Sequence, residues 1–306
     1  MANPNFKENK LKRFVGETMR PVFRFVSKKL YVTWQYRYIT GHKLNWKKLH
    51  RYTEKLQYLR LYHFPYDESV IRATSRIGAR VRVASKKLDE ILIPLVGIYN
   101  DVEEIDFARL PSRFVVKANH ASGLLHICTN KSEEDWPALK KKIKAWLKID
   151  YGRVTVEPHY SKVRPSIIIE QYVGNPKSLP VEYKIHVFNG TAKYLYIVSG
   201  RNEDIRYDNL YIDFTPFDEA QFNHWQKSDI PPQKPDNFDK LVRYAEALAD
   251  DFIFCRVDFF LVANHIYFNE FTFTPAKGTL TFDDDQADFI ISEWLDISSA
   301  IRKKGT

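Results

Sequence analysis

At 306 residues, 44% of them hydrophobic and 15% aromatic, the chain can bury one large core or two moderate ones, which excludes a disordered protein. Its two cysteines, Cys128 and Cys255, lack metal-ligand spacing, and no run of about 18 apolar residues occurs. A disulfide scaffold, a membrane span and, for want of an apolar leader, export are therefore not expected, and a cytoplasmic location is.

The net charge of +9 is concentrated near the N-terminus, where residues 1–51 carry 13 Lys or Arg against only Glu8 and Glu17. Phe6, Leu11, Phe14, Phe23, Val26, Leu30 and Trp34 interleave with these charges in a helical, amphipathic pattern broken at Pro21. Such a segment suits peripheral contact with an anionic membrane face or an acidic polysaccharide. A helix packed on its own domain is the alternative, and nucleic acid is not expected because no reading motif accompanies the charge.

Residues up to about 65 read as helical and basic, and 66–110 combine a basic helix over 70–87 with an apolar stretch over 91–99. From Phe114 onward strands and helices alternate, giving an α+β class. Expected elements are a strand at 114–117, an amphipathic helix at 137–149, a buried strand at 166–170, a hairpin of 183–188 and 192–199, and a helix at 237–250. Asn189-Gly190 is the strongest turn signal in the chain.

Chemistry concentrates in a second hairpin, 256–262 with 266–272. A three-residue turn at Ala263, Asn264 and His265 sets Asp258 opposite Glu270, Phe260 opposite Phe268 and Val262 opposite Ile266, with Cβ atoms about 5 Å apart. Two carboxylates so placed suit Mg²⁺, which takes one or two carboxylates plus substrate phosphates. A two-residue turn would slip the register by one and send the acids to opposite faces. Lys117 ends a strand and precedes a small-residue loop, Ala118 to Gly123, whose backbone N–H groups suit phosphate oxygens although no Walker pattern is present. Glu182, Lys184 and His186 alternate onto one strand face, either solvated or part of a site.

In order and spacing, Lys117 with its loop, Glu170-Gln-Tyr-Val173, Tyr183-Lys184, Arg256-Val-Asp258 and Glu270-Phe-Thr-Phe-Thr-Pro275 resemble the TupA-like ATP-grasp family. The likeness runs from about Lys43 to Leu295 and includes Leu44-Asn-Trp46 and Thr53-Glu-Lys-Leu-Gln57. It implies an ATP-grasp fold in which two α+β subdomains, residues 111–175 and 176–306, clasp ATP. Residues 1–65 would form a basic helical extension and 66–110 a lead-in. It also implies Lys117, His120, Ser122, Gly123 and Lys184 on the phosphates, Glu170, Gln171, Tyr172 and Val173 around adenine, and Mg²⁺ on Asp258 and Glu270. Arg256 and Lys184 would be the catalytic cations, with Arg201, Arg206, Thr272 and Lys277 on the substrate side. The implied activity is ADP-forming carboxylate-amine ligation through an acyl phosphate, on a uronic acid or amino acid, in bacterial capsule or other surface-polysaccharide biosynthesis. The alternatives are a glycosyltransferase and a non-catalytic nucleotide-binding homologue. Five positions depart from the common ATP-grasp pattern: Ala121 for Gly, Glu182 for Asp, Thr272 for a metal-binding Asn, and Ser75-Arg76 for Asp-Lys.

Overall fold

The computed structural model describes residues 24, 26–175, 179–201, 204–223 and 225–302. Two antiparallel sheets organise it. The first has the order β1-β4-β2-β3, from β1 (Leu95–Tyr99), β2 (Phe114–Ala118), β3 (Leu125–Cys128) and β4 (Ile167–Gln171). The second has the order β7-β6-β5-β8-β9, from β5 (Val181–Phe188), β6 (Thr191–Ser199), β7 (Arg206–Tyr211), β8 (Phe254–Val262) and β9 (His265–Thr272). Around them lie α1 (Lys28–Thr40), α2 (Tyr52–Tyr62), α3 (Glu68–Thr74), α4 (Arg76–Ser85), α5 (Trp136–Leu147), α6 (Tyr151–Thr155), α7 (Phe238–Leu248) and α8 (Gln286–Trp294).

Local chemistry accounts for most of these elements. Ile167, Ile168 and Ile169 make β4 a continuous apolar run, as a central strand covered on both faces requires. Leu139, Ile143 and Trp146, spaced three and four apart on α5, pack on Phe114, Val116, Ile167 and Ile169. Asn189 and Gly190 both take positive φ, 48° and 82°, so β5 and β6 close through the expected two-residue turn.

Three expectations need correction. The helix expected over 70–87 is two helices, because Ser75 adopts an extended backbone and its Oγ accepts the N–H of Gly78, capping α4. Strands β3 and β7 were not anticipated. β3 is only four residues long, and β7 begins at Arg206, for which no strand was expected. The three-residue turn of the second hairpin is also replaced, as described below.

The described part of the basic N-terminal region packs on its own protein. Tyr31, Val32 and Tyr36 of α1 are buried, and the Tyr36 hydroxyl hydrogen-bonds Thr53 at 2.8 Å. Residues 1–23, which carry most of the expected amphipathic pattern, lie outside the described residues. Among the described residues no helix is long and apolar enough to cross a membrane.

Two buried histidines contribute to the acid sensitivity of the fold. His159 packs among Phe64, Tyr160 and Phe273, and burial, then the Arg60 guanidinium, pushes its pKa down to about 3. His186 stacks on Tyr194 and is pushed well down by burial, then by Arg256 and Lys184. Neither ring has a hydrogen-bond partner, so both are neutral in the fold and charge on unfolding. Their contribution is therefore complete above the unfolded pKa near 6.5 and is lost as pH falls toward 3. The pair is expected to remove roughly 2–3 kcal/mol of stability per pH unit below 6.5. Urea unfolding at pH 7 and pH 5.5 measures it; equal stabilities would contradict the neutral, buried state.

Candidate functional site

The hairpin of β8 and β9 turns on two residues, Ala263 and Asn264, both left-handed with φ of 47° and 65°. Val262 therefore pairs with His265, Leu261 with Ile266, Phe260 with Tyr267 and Phe259 with Phe268, instead of the expected Phe260–Phe268 and Val262–Ile266 pairs. Continued unchanged, this register would separate the two acids. A bulge at Asn269 inserts one residue into β9, and the ladder resumes with Asp258 opposite Glu270 and Arg256 opposite Thr272. Because Ala is strained where Asn or Gly is not, Ala263→Gly is expected to stabilise the protein by about 0.5–1 kcal/mol. A shift in the denaturation midpoint checks this, and a loss of stability would argue against the left-handed turn.

Across the second sheet one row runs Tyr196, Lys184, Asp258, Glu270, since Lys184 is opposite both Tyr196 on β6 and Asp258 on β8. Asp258 is fully buried. Its Oδ1 accepts from Arg256 Nε at 2.6 Å, and its Oδ2 accepts from Arg256 Nη2 at 2.7 Å and from Lys184 Nζ at 2.5 Å. Burial alone would raise its pKa, but Arg256 and Lys184 outweigh burial and hold it low. Arg256 also donates to the Tyr196 hydroxyl at 2.7 Å and to Thr272 at 2.9 Å. Lys184 lies 2.6 Å from Glu182, which in turn accepts from Arg201 at 2.7 Å.

The first sheet supplies the facing wall. Lys117 on β2 is only 5% exposed; its Nζ lies 2.7 Å from Glu170 Oε2 and 3.4 Å from the side-chain oxygen of Asn269 on the opposite sheet. Glu170 also takes Arg80 at 2.8 Å. Burial pushes the Glu170 pKa up, but Lys117, Arg76 and Arg80 bring it below the ordinary carboxylate value. Arg76, at the first turn of α4, donates to Glu270 at 3.2 Å, while its Nη1 is buried with no partner. Between the walls lies a cleft of about 300 Å³, within the size range of small-molecule sites.

The structure brings Lys117, Ser122, Gly123, Glu170, Gln171, Tyr172, Val173, Lys184, Arg201 and Glu270 to this cleft. Others of the expected set stand apart from it. Asp258 and Arg256, both buried, and the half-buried Thr272 do not line it and are joined to it through Lys184. His120 is turned into the core, with Nε2 3.1 Å from the carbonyl of Trp146. Arg206 pairs with Asp204 and with Gln226 on the outside of β7, and Lys277 sits in the turn after β9. Gly123, not Ala121, takes the positive φ (75°) of the small-residue loop, so the alanine imposes no strain. Arg80 and Asn269 were missed, and Arg76 was noted only within the Ser75-Arg76 departure from the family pattern. The serine cap at Ser75 was the available signal for Arg76; Asn269 enters only through the bulge.

Two antiparallel sheets facing one another across a cleft, each contributing a buried lysine, define an ATP-grasp protein. The model of the TupA-like ATP-grasp family matches residues 54–295, and the chain belongs to that family. Solved structures are more distant. The Bacillus anthracis D-alanine–D-alanine ligase complexed with ATP is 12% identical over 78% of this chain and 70% of its own, with a TM-score of 0.48. The Bacillus licheniformis L-amino acid ligase is 11% identical over 69% of this chain, with a TM-score of 0.44, and this chain spans 45% of its length. No curated protein matches the chain.

Proposed function

We propose that the protein is an ATP- and Mg²⁺-dependent carboxylate-amine ligase. The observation that carries this reading is the cleft itself, where Lys117 and Arg76 from one side meet Lys184 and Glu270 from the other. Such a set fits a triphosphate: the cations match its charge, and the buried, unpartnered Nη1 of Arg76 is a donor in want of an anion.

Glu270 fits a magnesium ion, since its side chain lines the cleft and shares only Arg76. Asp258 fits only as a second ligand, because both its oxygens are taken by Arg256 and Lys184. Among the described residues no group of three or more His, Cys, Asp or Glu could hold a metal, which agrees with an ion carried largely by substrate phosphates. When bound, the ion neutralises phosphate charge.

In the reaction a substrate carboxylate oxygen attacks the γ-phosphorus, the bond to ADP breaks, and an acyl phosphate forms. An amine then attacks the acyl carbon, releasing inorganic phosphate and a proton to give the amide. Lys117 and Lys184 would hold the transferred phosphoryl group, and Arg201 is placed to take a substrate carboxylate. A uronic acid or amino acid as carboxylate donor, and a place in surface-polysaccharide assembly, complete the proposal. Contact of residues 1–51 with an anionic membrane or polysaccharide would keep the enzyme near its substrate.

The test is ATP turnover with Mg²⁺ and a pooled panel of uronic acids, amino sugars and amino acids, wild type beside Glu270→Ala. Substrate-dependent ADP and phosphate that fall at least about 100-fold in Glu270→Ala are expected. Consumption of a nucleotide sugar instead would establish a glycosyltransferase, and nucleotide binding without turnover would favour a scaffold.

A further inference from the structure

Arg60 heads the largest fully buried side chains of the described residues, and its hydrogen-bond partners are all neutral. Nε donates to the carbonyl of Val156 at 2.8 Å and Nη2 to that of Thr155 at 2.6 Å. Nη1 donates to Gln57 Oε1 and to the carbonyl of Lys277, both at 2.9 Å, and both Nη atoms reach Gln35 Oε1 at 3.2 Å. Glu157 acts on the charge from nearby, but its carboxylate takes the hydroxyl of Thr274. A guanidinium taken wholly out of water is expected to meet a carboxylate. This one grips backbone.

Two of the three carbonyls it takes, Thr155 and Val156, end α6, and the third, Lys277, belongs to a left-handed turn. Ala276, Lys277 and Gly278 follow one another at φ of 47°, 59° and 69°. Only the glycine adopts that conformation without steric penalty, so the turn persists because its surroundings fix it. Arg60 takes the carbonyl of Lys277, and Gln57 Nε2, one helical turn before Arg60, takes the carbonyls of Lys277 and Gly278 at 2.9 and 2.7 Å. The turn lies two residues beyond β9, the strand that places Glu270 at the cleft and Thr272 on Arg256.

We propose that Arg60 is a positioning residue of the catalytic centre: with Gln57 it clamps the left-handed turn 275–278, and the turn fixes the end of β9 that carries Glu270 and Thr272. The inference rests on the ligase reading above. Arg60 touches no reacting atom, and its effect passes through backbone. Small displacements of catalytic groups lower rates steeply, by about 100-fold for 1 Å.

Arg60→Lys keeps the charge and loses the fork. In the full chain three quantities are measured: ADP affinity by calorimetry without Mg²⁺, amide exchange of residues 271–282, and ATP turnover with the uronic acid and amino acid panel. Expected are nucleotide affinity within about twofold of wild type, at least about tenfold faster exchange in that segment, and turnover lower by about tenfold or more. Adding Ala276→Gly and Lys277→Gly, which relieves the left-handed strain, is expected to recover turnover several-fold, a rescue that general destabilisation would not give. If Arg60→Lys does not fold, Gln57→Ala takes its place, since it frees the Gly278 carbonyl and removes one of the two bonds to that of Lys277 while leaving the guanidinium. Unchanged exchange, unchanged turnover, nucleotide affinity falling in step with turnover, or no recovery with the glycines would each overturn the proposal. Turnover in the wild type matched by Arg60→Lys sinks this inference alone; no wild-type turnover with any panel member sinks the ligase reading and this inference with it.

Discussion

Asp258→Ala is expected to destabilise the protein by about 3–5 kcal/mol, the effect of removing one partner from a buried ion cluster. Asp258 is fully buried and receives two bonds from Arg256 and one from Lys184. Without it Lys184 keeps Glu182, and Arg256 keeps only the neutral hydroxyls of Tyr196 and Thr272. A buried guanidinium facing neutral groups and a new cavity has no way to recover its hydration. Asp258→Asn preserves the shape and one acceptor oxygen, so a smaller loss is expected. Guanidinium chloride unfolding of both variants measures this. An alanine variant within about 1 kcal/mol of wild type, the size of a surface pair, would show that the cluster is solvated.

Lys117→Met is expected to reduce ATP turnover by about 10²–10³-fold while leaving the fold intact, as removal of a preorganised charge from a transition state does. The ammonium sits between Glu170 and Asn269, one on each sheet, and lines the cleft. Glu170 retains Arg80 at 2.8 Å, with Arg76 close enough to act on its charge, so no carboxylate is stranded and the stability loss stays small. The two effects separate cleanly: ADP affinity and unfolding report the ground state, turnover the transition state. Turnover within about threefold of wild type would remove Lys117 from the phosphoryl-transfer machinery. The contrast with Asp258 is one of compensation. Lys117 leaves behind an acid that still has an arginine, whereas Asp258 leaves behind an arginine that has no acid.

The sequence by itself determined the elements whose signals are local. Apolar runs specify β4 and β8, Asn189-Gly190 specifies a two-residue turn by its left-handed tolerance, and the three-and-four spacing of Leu139, Ile143 and Trp146 specifies α5. The order of lysine strand, small-residue loop, second lysine and acidic hairpin was enough to point to the family that residues 54–295 match. The pairing of Asp258 with Glu270 was legible too, although by a different route: a three-residue turn was expected, and the chain uses a two-residue turn plus a bulge at Asn269. A bulge has no residue signature of its own. It forms because burial of Asp258 against Lys184 and exposure of Glu270 to the cleft outweigh one interrupted ladder position. Tertiary structure alone decided where His120 points, which acids Arg76 and Arg80 meet, and that Arg60 grips Lys277, 217 residues away. Each depends on groups from separate elements that only the packed fold brings together. A side chain's partner is set by whichever acceptors the fold leaves within about 3 Å of it, and local propensity carries no information about those.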